Sequence, residues 1–132
     1  MKRIDLSNWD RDLATLPAPS LLQTASWAKV KEEFGWSSIP LQWINDSGNL
    51  VAMALVLKRQ VQISRFKLPV SMLYIPKGPI LDWDNEQLVH QVLENLKTLS
   101  RKENAFLLKI EPEVRQFTVS NEKEPTTTQL QP

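Results

Sequence analysis

Cysteine is absent from this 132-residue chain. That excludes disulfides, thiol nucleophiles and thiolate metal sites, and it fits a reducing compartment. Histidine occurs once, as His90. With no cysteine and no second histidine, no zinc site is expected, and no metal is assigned. Glycine occurs only as Gly35, Gly48 and Gly78. Isolated glycines make neither a P-loop nor a dinucleotide-binding fingerprint, both of which need several converging backbone N–H groups. No run approaches the ~20 apolar residues of a membrane-spanning helix. The opening "MKRIDLSNWDRD" lacks the apolar stretch of a signal peptide, so the chain reads as cytoplasmic. Neither sign of charge dominates: 16 Lys and Arg against 15 Asp and Glu leave +1. That balance argues against a general nucleic-acid or anionic-membrane binder, while leaving room for a local basic patch.

What is present is ordinary globular material, 42% hydrophobic and 23% charged, enough for one domain or a piece of one. "SNWDRDLATLPAPSLLQ" predicts a short helix with Ser7 as its cap, broken at Pro17 and Pro19. "TASWAKVKEEFGW" predicts a second helix, capped by Thr24 or Ser26 and stopped at Gly35. On it Trp27, Val30, Lys31 and Phe34 fall within about 100° of arc, which makes Lys31 a cation at the margin of an apolar stripe. "SIPLQWIN" and "NLVAMALVLKRQV" read as a hairpin whose second strand, apolar from Leu50 to Leu57, is covered on both faces. "QISRFKLP" reads as a basic, mobile loop or strand edge. "VSMLYIP" is a strand ended by Pro76. "DNEQLVHQVLENLKTLSRKEN" is the clearest helix, with Leu88, Val92, Leu96 and Leu99 in one stripe and His90 on the solvated side. "AFLLKIEP" then predicts a buried strand, and a polar, threonine-rich segment follows Pro112. Helix, hairpin, strand, helix, strand describes an α/β fold. It is a mixed sheet flanked by helices, the front half of an acyltransferase-type domain.

Few side chains suggest chemistry. Lys31 either lays its stem on Trp27 with the ammonium in water, or offers a cation to an anionic ligand. Lys77 in "PKGP" is either a plain turn lysine or a donor aimed into a cleft. Gly78 beside it is expected to supply a positive φ for the turn, with Pro76 and Pro79 stiffening either side. Glu111 closes the last strand as either a solvated acid or a carboxylate at a cleft floor. The basic residues Lys58, Arg59, Arg65 and Lys67 admit an RNA contact, for which a solvated loop is the simpler account.

Three segments in register, "LLQTASWAKVKEEFGW", "YIPKGPILDWD" and "AFLLKIEPEV", resemble the N-terminal part of the FemABX peptidoglycan-bridge aminoacyltransferases. The resemblance implies an acyl-CoA N-acyltransferase (GNAT)-like half-domain over 1–114, and a polar segment, 115–132, leading toward a second half. The glycine-rich pyrophosphate loop of acetyl-CoA-dependent relatives is missing, so no cofactor is expected. The implied co-substrate is aminoacyl-tRNA. The implied acceptor is the stem peptide of a precursor of the lipid II or UDP-MurNAc-pentapeptide type, with peripheral contact at the inner membrane face. By the same resemblance Lys31 meets the precursor's phosphates beside Trp27. Glu111 lies by the acceptor amine, and Phe106 stands where some members carry a tyrosine. Gly78 shapes the family turn, and Lys77 beside it is a cleft residue without an assigned role. The reading from another class is a non-catalytic half-domain that binds a phosphorylated ligand or a partner chain.

Overall fold

The apolar run Leu50–Leu57 begins the longest strand of the computed structural model, which describes residues 1–113. In chain order the elements are β1 (Lys2–Arg3), α1 (Trp9–Leu13), a 3-10 turn (Leu21–Gln23), α2 (Ala25–Glu32) and β2 (Ser37–Ile44). Then come β3 (Leu50–Ile63), β4 (Phe66–Pro76), β5 (Ile80–Leu81), α3 (Glu86–Lys102) and β6 (Ala105–Glu111). The sheet runs β1-β2-β3-β4-β6, with β5 pairing on β3. β4 and β6 are parallel while the other pairs are antiparallel. Two parallel neighbours need a crossover, and α3 supplies it. This is the mixed α/β sheet flanked by helices that the residue pattern predicts. The boundary expected after residue 114 lies outside the described residues, as does the segment 115–132.

Alternation along β3 sends its side chains to two different cores. Ala52, Ala54 and Val56 join Leu73, Ile75 and the α3 stripe Leu88, Val92, Leu96 and Leu99. Met53, Leu55 and Leu57 face the other way, onto Trp9, Leu13, Leu16 and Ala28. Asn85 caps α3 by accepting the Leu88 amide at 3.1 Å, and Arg101 and Lys102 occupy its last turn.

Three local expectations change and one is decided. Asn8, not Ser7, precedes α1, and it makes no side-chain cap; the Ser7 hydroxyl turns back to Asp5 instead. α2 is only eight residues long and approaches the sheet through Ala28, which is fully buried. The larger Val30 and Phe34 are left 43% and 64% exposed, so the predicted stripe is not the packing face. Of the two readings of "QISRFKLP", the loop gives way to the strand: β3 and β4 continue as a paired hairpin to Ile63↔Phe66, turning at Ser64 with φ 59. β6 is not buried either. It is an edge strand on which Leu108 and Ile110 pack toward α3, while Phe106 and Leu107 stay exposed. α2 lies over β2 and β3 on the opposite face, which leaves β6 open there.

Candidate functional site

The uncovered side of β4 and β6 gathers charged and aromatic side chains from three elements. Parallel register sets Tyr74 beside Lys109 and Pro76 beside Glu111. The Tyr74 hydroxyl donates to Glu111 Oε1, and Lys109 Nζ sits 3.5 Å from Glu111 Oε2. Lys109 Nζ also stands 5.4 Å from the Tyr74 ring centroid. On the other flank, the Trp36 ring lies 6.2 Å from Tyr74, tilted by 51°. Arg59 covers Trp36 at 5.1 Å while donating to the Phe34 carbonyl at 2.6 Å. The row therefore runs cation, indole, phenol, cation, with an acid at its end.

These neighbours fix the acid's protonation. The Tyr74 hydrogen bond, helped by the charges of Lys109 and Lys77, holds the Glu111 carboxyl below the usual carboxylate range. The phenol responds in the opposite sense. Donation to Glu111, followed by burial and the acid's charge, pushes Tyr74 from 10.0 up to about 12. At neutral pH this end of the strand pair is thus a carboxylate held by a protonated phenol. A carboxylate with a lowered pKa is a weak proton acceptor and a good orienting group for an amine or ammonium.

Lys77 stands close enough to Glu111 for its charge to be felt there. Lys77 contributes to the depressed Glu111 pKa, and its Nζ stands 3.8 Å from Glu113 Oε1. Lys31 is not part of that cluster. Its Nζ itself packs over the Trp27 ring, 5.1 Å from the centroid, instead of laying only the stem there with the ammonium in water. The Trp27 indole N–H nevertheless lies out of solvent with no acceptor among the described residues. Such a donor costs about 1–3 kcal/mol unless something accepts from it. The link between α2 and the acid is Trp36, whose amide bonds the Lys31 carbonyl at 3.1 Å while its ring touches Tyr74.

Gly78 departs from expectation. The positive φ of "PKGP" belongs to Lys77, at 55°, and the Gly78–Pro79 bond is cis. Glycine is needed at 78 because a Cβ there would stand 2.8 Å from the Gln23 side chain. Gln23 is fully buried at the point where the chain leaves β4 and has not yet entered β5. Its amide accepts from Leu55 N at 2.7 Å and donates to Leu55 O at 3.3 Å and Pro76 O at 2.8 Å. The Trp9 indole donates to its backbone carbonyl at 2.6 Å. One glutamine thus satisfies the backbone groups that the missing strand pairing would orphan.

Phe106 lies apart from Glu111. It lines a groove of about 540 Å³ at the hairpin end of the sheet, with Arg59, Gln62, Lys67 and Met72. The hydroxyl that reaches Glu111 is that of Tyr74, from the neighbouring strand. Tyr74, Trp36 and Gln23 were not predicted as site or joint residues. The available signals were that Tyr74 is the only tyrosine, and that Gln23 is a polar residue between apolar turns. No cluster of three potential metal ligands occurs among the described residues.

Comparison with known proteins accords with this architecture. The model of the FemAB family matches residues 8–131. Lipid II:glycine glycyltransferase of Staphylococcus aureus (strain MRSA252) is 28% identical over 116 residues, covering 86% of this chain and 26% of that protein. The chain therefore spans about a quarter of the length of the curated relatives it matches. The crystal structure of FemX superposes with a TM-score of 0.70 at 26% identity, covering 96% of this chain and 31% of that one. A Trypanosoma brucei acetyltransferase superposes with a TM-score of 0.53 at 14% identity, over 96% and 88% of the two chains. That second likeness is one of fold, and it matches the acetyltransferase-like half-domain read from the sequence. With the family match running along nearly the whole sequence and the FemX fold shared through the sheet, this chain belongs to the FemAB family.

Proposed function

We propose that this chain is the acceptor-side half-domain of an aminoacyltransferase of peptidoglycan bridge formation. The amino acid would come from aminoacyl-tRNA and go to an amine on the stem peptide of a lipid II or UDP-MurNAc-pentapeptide type precursor. Relatives named lipid II:glycine glycyltransferase support this reading. The observation that carries it is the Glu111 carboxylate, held ionised by Tyr74 and two lysines at the open end of a parallel strand pair.

The reaction forms an amide bond between the neutral acceptor nitrogen and the aminoacyl carbonyl and breaks the ester to the tRNA ribose; the proton that the nitrogen loses ends on the departing ribose oxygen as its hydroxyl. Glu111, with its lowered pKa, acts by orienting that amine rather than by removing its proton. Lys31 supplies charge to the precursor's phosphates, and the unpaired Trp27 N–H supplies a neutral donor beside it. Lys77 helps keep the acid ionised.

Calorimetric titration of UDP-MurNAc-pentapeptide into the 132-residue chain tests the reading. Lys31→Ala is expected to weaken binding roughly tenfold or more, as for one charge-assisted contact. That deficit should shrink as salt is raised. Equal affinity of the variant and the parent chain at low salt would refute the assignment.

A further inference from the structure

We propose that the tip of the β3–β4 hairpin is a docking wedge for an anionic lipid bilayer. This goes beyond the transferase reading and stands on the hairpin alone. Pairing of β3 with β2 reaches only to Lys58, and pairing of β4 with β6 begins at Ser71. Residues 61–70 are therefore a two-stranded ribbon with no strand on either side among the described residues. An isolated ribbon of this kind is marginally stable in water. Its own braces are slight: Gln60 Nε2 donates to the Leu68 carbonyl at 2.9 Å and Gln62 Nε2 to the Ser64 carbonyl at 3.1 Å.

At the end of the ribbon Ile63 and Phe66 are cross-strand partners, 61% and 74% exposed. Two large apolar side chains side by side at the far point of a projecting element gain nothing from water. They suit the headgroup–acyl boundary, where apolar area is buried without a spanning segment. Among the described residues no helix is long and apolar enough to cross a membrane.

Charge complementarity selects the surface. No Asp or Glu occurs between Asp46 and Asp82, while Lys58, Arg59, Arg65, Lys67 and Lys77 all fall in that interval. Arg65 and Lys67 flank the apolar pair, and both are exposed. Arg59 and Lys67 also line the groove of about 540 Å³ at the ribbon's base, which offers room for lipid phosphates. Lys58 pairs with Glu103 at 2.9 Å and Lys77 with Glu113 at 3.8 Å, so the cations that the hairpin offers are Arg59, Arg65 and Lys67. RNA would use the cations and leave Ile63 idle; a bilayer uses both.

The absence of cysteine makes a direct test simple. Ile63→Cys in the full chain, carrying an environment-sensitive fluorophore, is mixed with vesicles of phosphatidylcholine alone or with phosphatidylglycerol added. Ser47→Cys, at the β2–β3 turn, carries the same label as control. A blue shift at residue 63 with anionic vesicles only, and none at residue 47, is expected. In co-sedimentation with the anionic vesicles, replacing both Ile63 and Phe66 by serine should cost about tenfold in binding. Arg65→Ala and Lys67→Ala should each cost about fivefold. These positions are exposed, so unfolding temperatures should match the parent chain. The absence of a shift at residue 63 would overturn the proposal. So would equal sedimentation of the doubly substituted chain, or tRNA binding that falls with the cations while no variant binds vesicles.

Discussion

The two faces of the sheet are built on different terms. Beneath α3 the contacts are almost wholly apolar, and Ala54, Val56, Leu73, Ile75, Val92 and Leu96 are fully buried. The polar contacts there sit at its margins, the Trp43 indole donating to Asn95 at 2.9 Å and Lys58 to Glu103 at 2.9 Å. Among the described residues the opposite face is roofed only over β2 and β3, where a buried glutamine stands in for absent strand pairing. Over β4 and β6 it carries cations, rings and an acid. One face holds the molecule together by excluding water, and the other leaves polar groups where a ligand can reach them. Stability and chemistry are divided by the plane of a single sheet.

That division can be broken at its strong side first. Leu96→Ala, deep under α3, should lower unfolding free energy by about 2–5 kcal/mol in urea titrations, from lost burial plus a cavity. The joint on the other face is the next test. Gly78→Ala should cost about 1–3 kcal/mol, because the new methyl group meets the Gln23 amide. Gln23→Ala should cost about 1–3 kcal/mol by orphaning the Leu55 amide. If the two act as one contact, the double variant loses less than the sum; strict additivity would separate them.

The mildest test concerns the open cluster. Because the chain has one tyrosine, ultraviolet absorbance of tyrosinate reports Tyr74 alone. Its midpoint should lie at about 12, and Glu111→Gln should return it toward 10.0. The phenol's raised value means its stabilising effect is complete below pH 10 and is lost as pH climbs through about 12. For Glu111 the sign is reversed. Its depressed value gives a contribution present above the ordinary carboxylate range and lost as acid is added. Tyr74→Phe should therefore raise the Glu111 titration seen by carboxyl NMR.

How much of this the amino acids disclose follows from the distance over which each feature is decided. α3 and the central strand were readable because their periodicity is local: Leu88 to Leu99 mark one helical stripe, and Leu50 to Leu57 an unbroken apolar run. β6 looked buried because "AFLLKI" has the same composition whether one face or two are covered. Only the short reach of α2 decides that. The corner at Gly78 was legible as a corner but not for its cause, since the group that forbids a Cβ belongs to Gln23, far away in sequence. The family resemblance drew attention to Glu111, and the α/β order suggested the fold. The phenol that binds the acid is set by parallel register, which no single segment reveals.

One consequence follows from the glutamine. Pro76, whose carbonyl it grips, is the register partner of Glu111. The site's acid therefore inherits its placement from a side chain that never approaches any ligand. Erosion at that hidden joint would show itself as a misplaced carboxylate as well as a weaker fold.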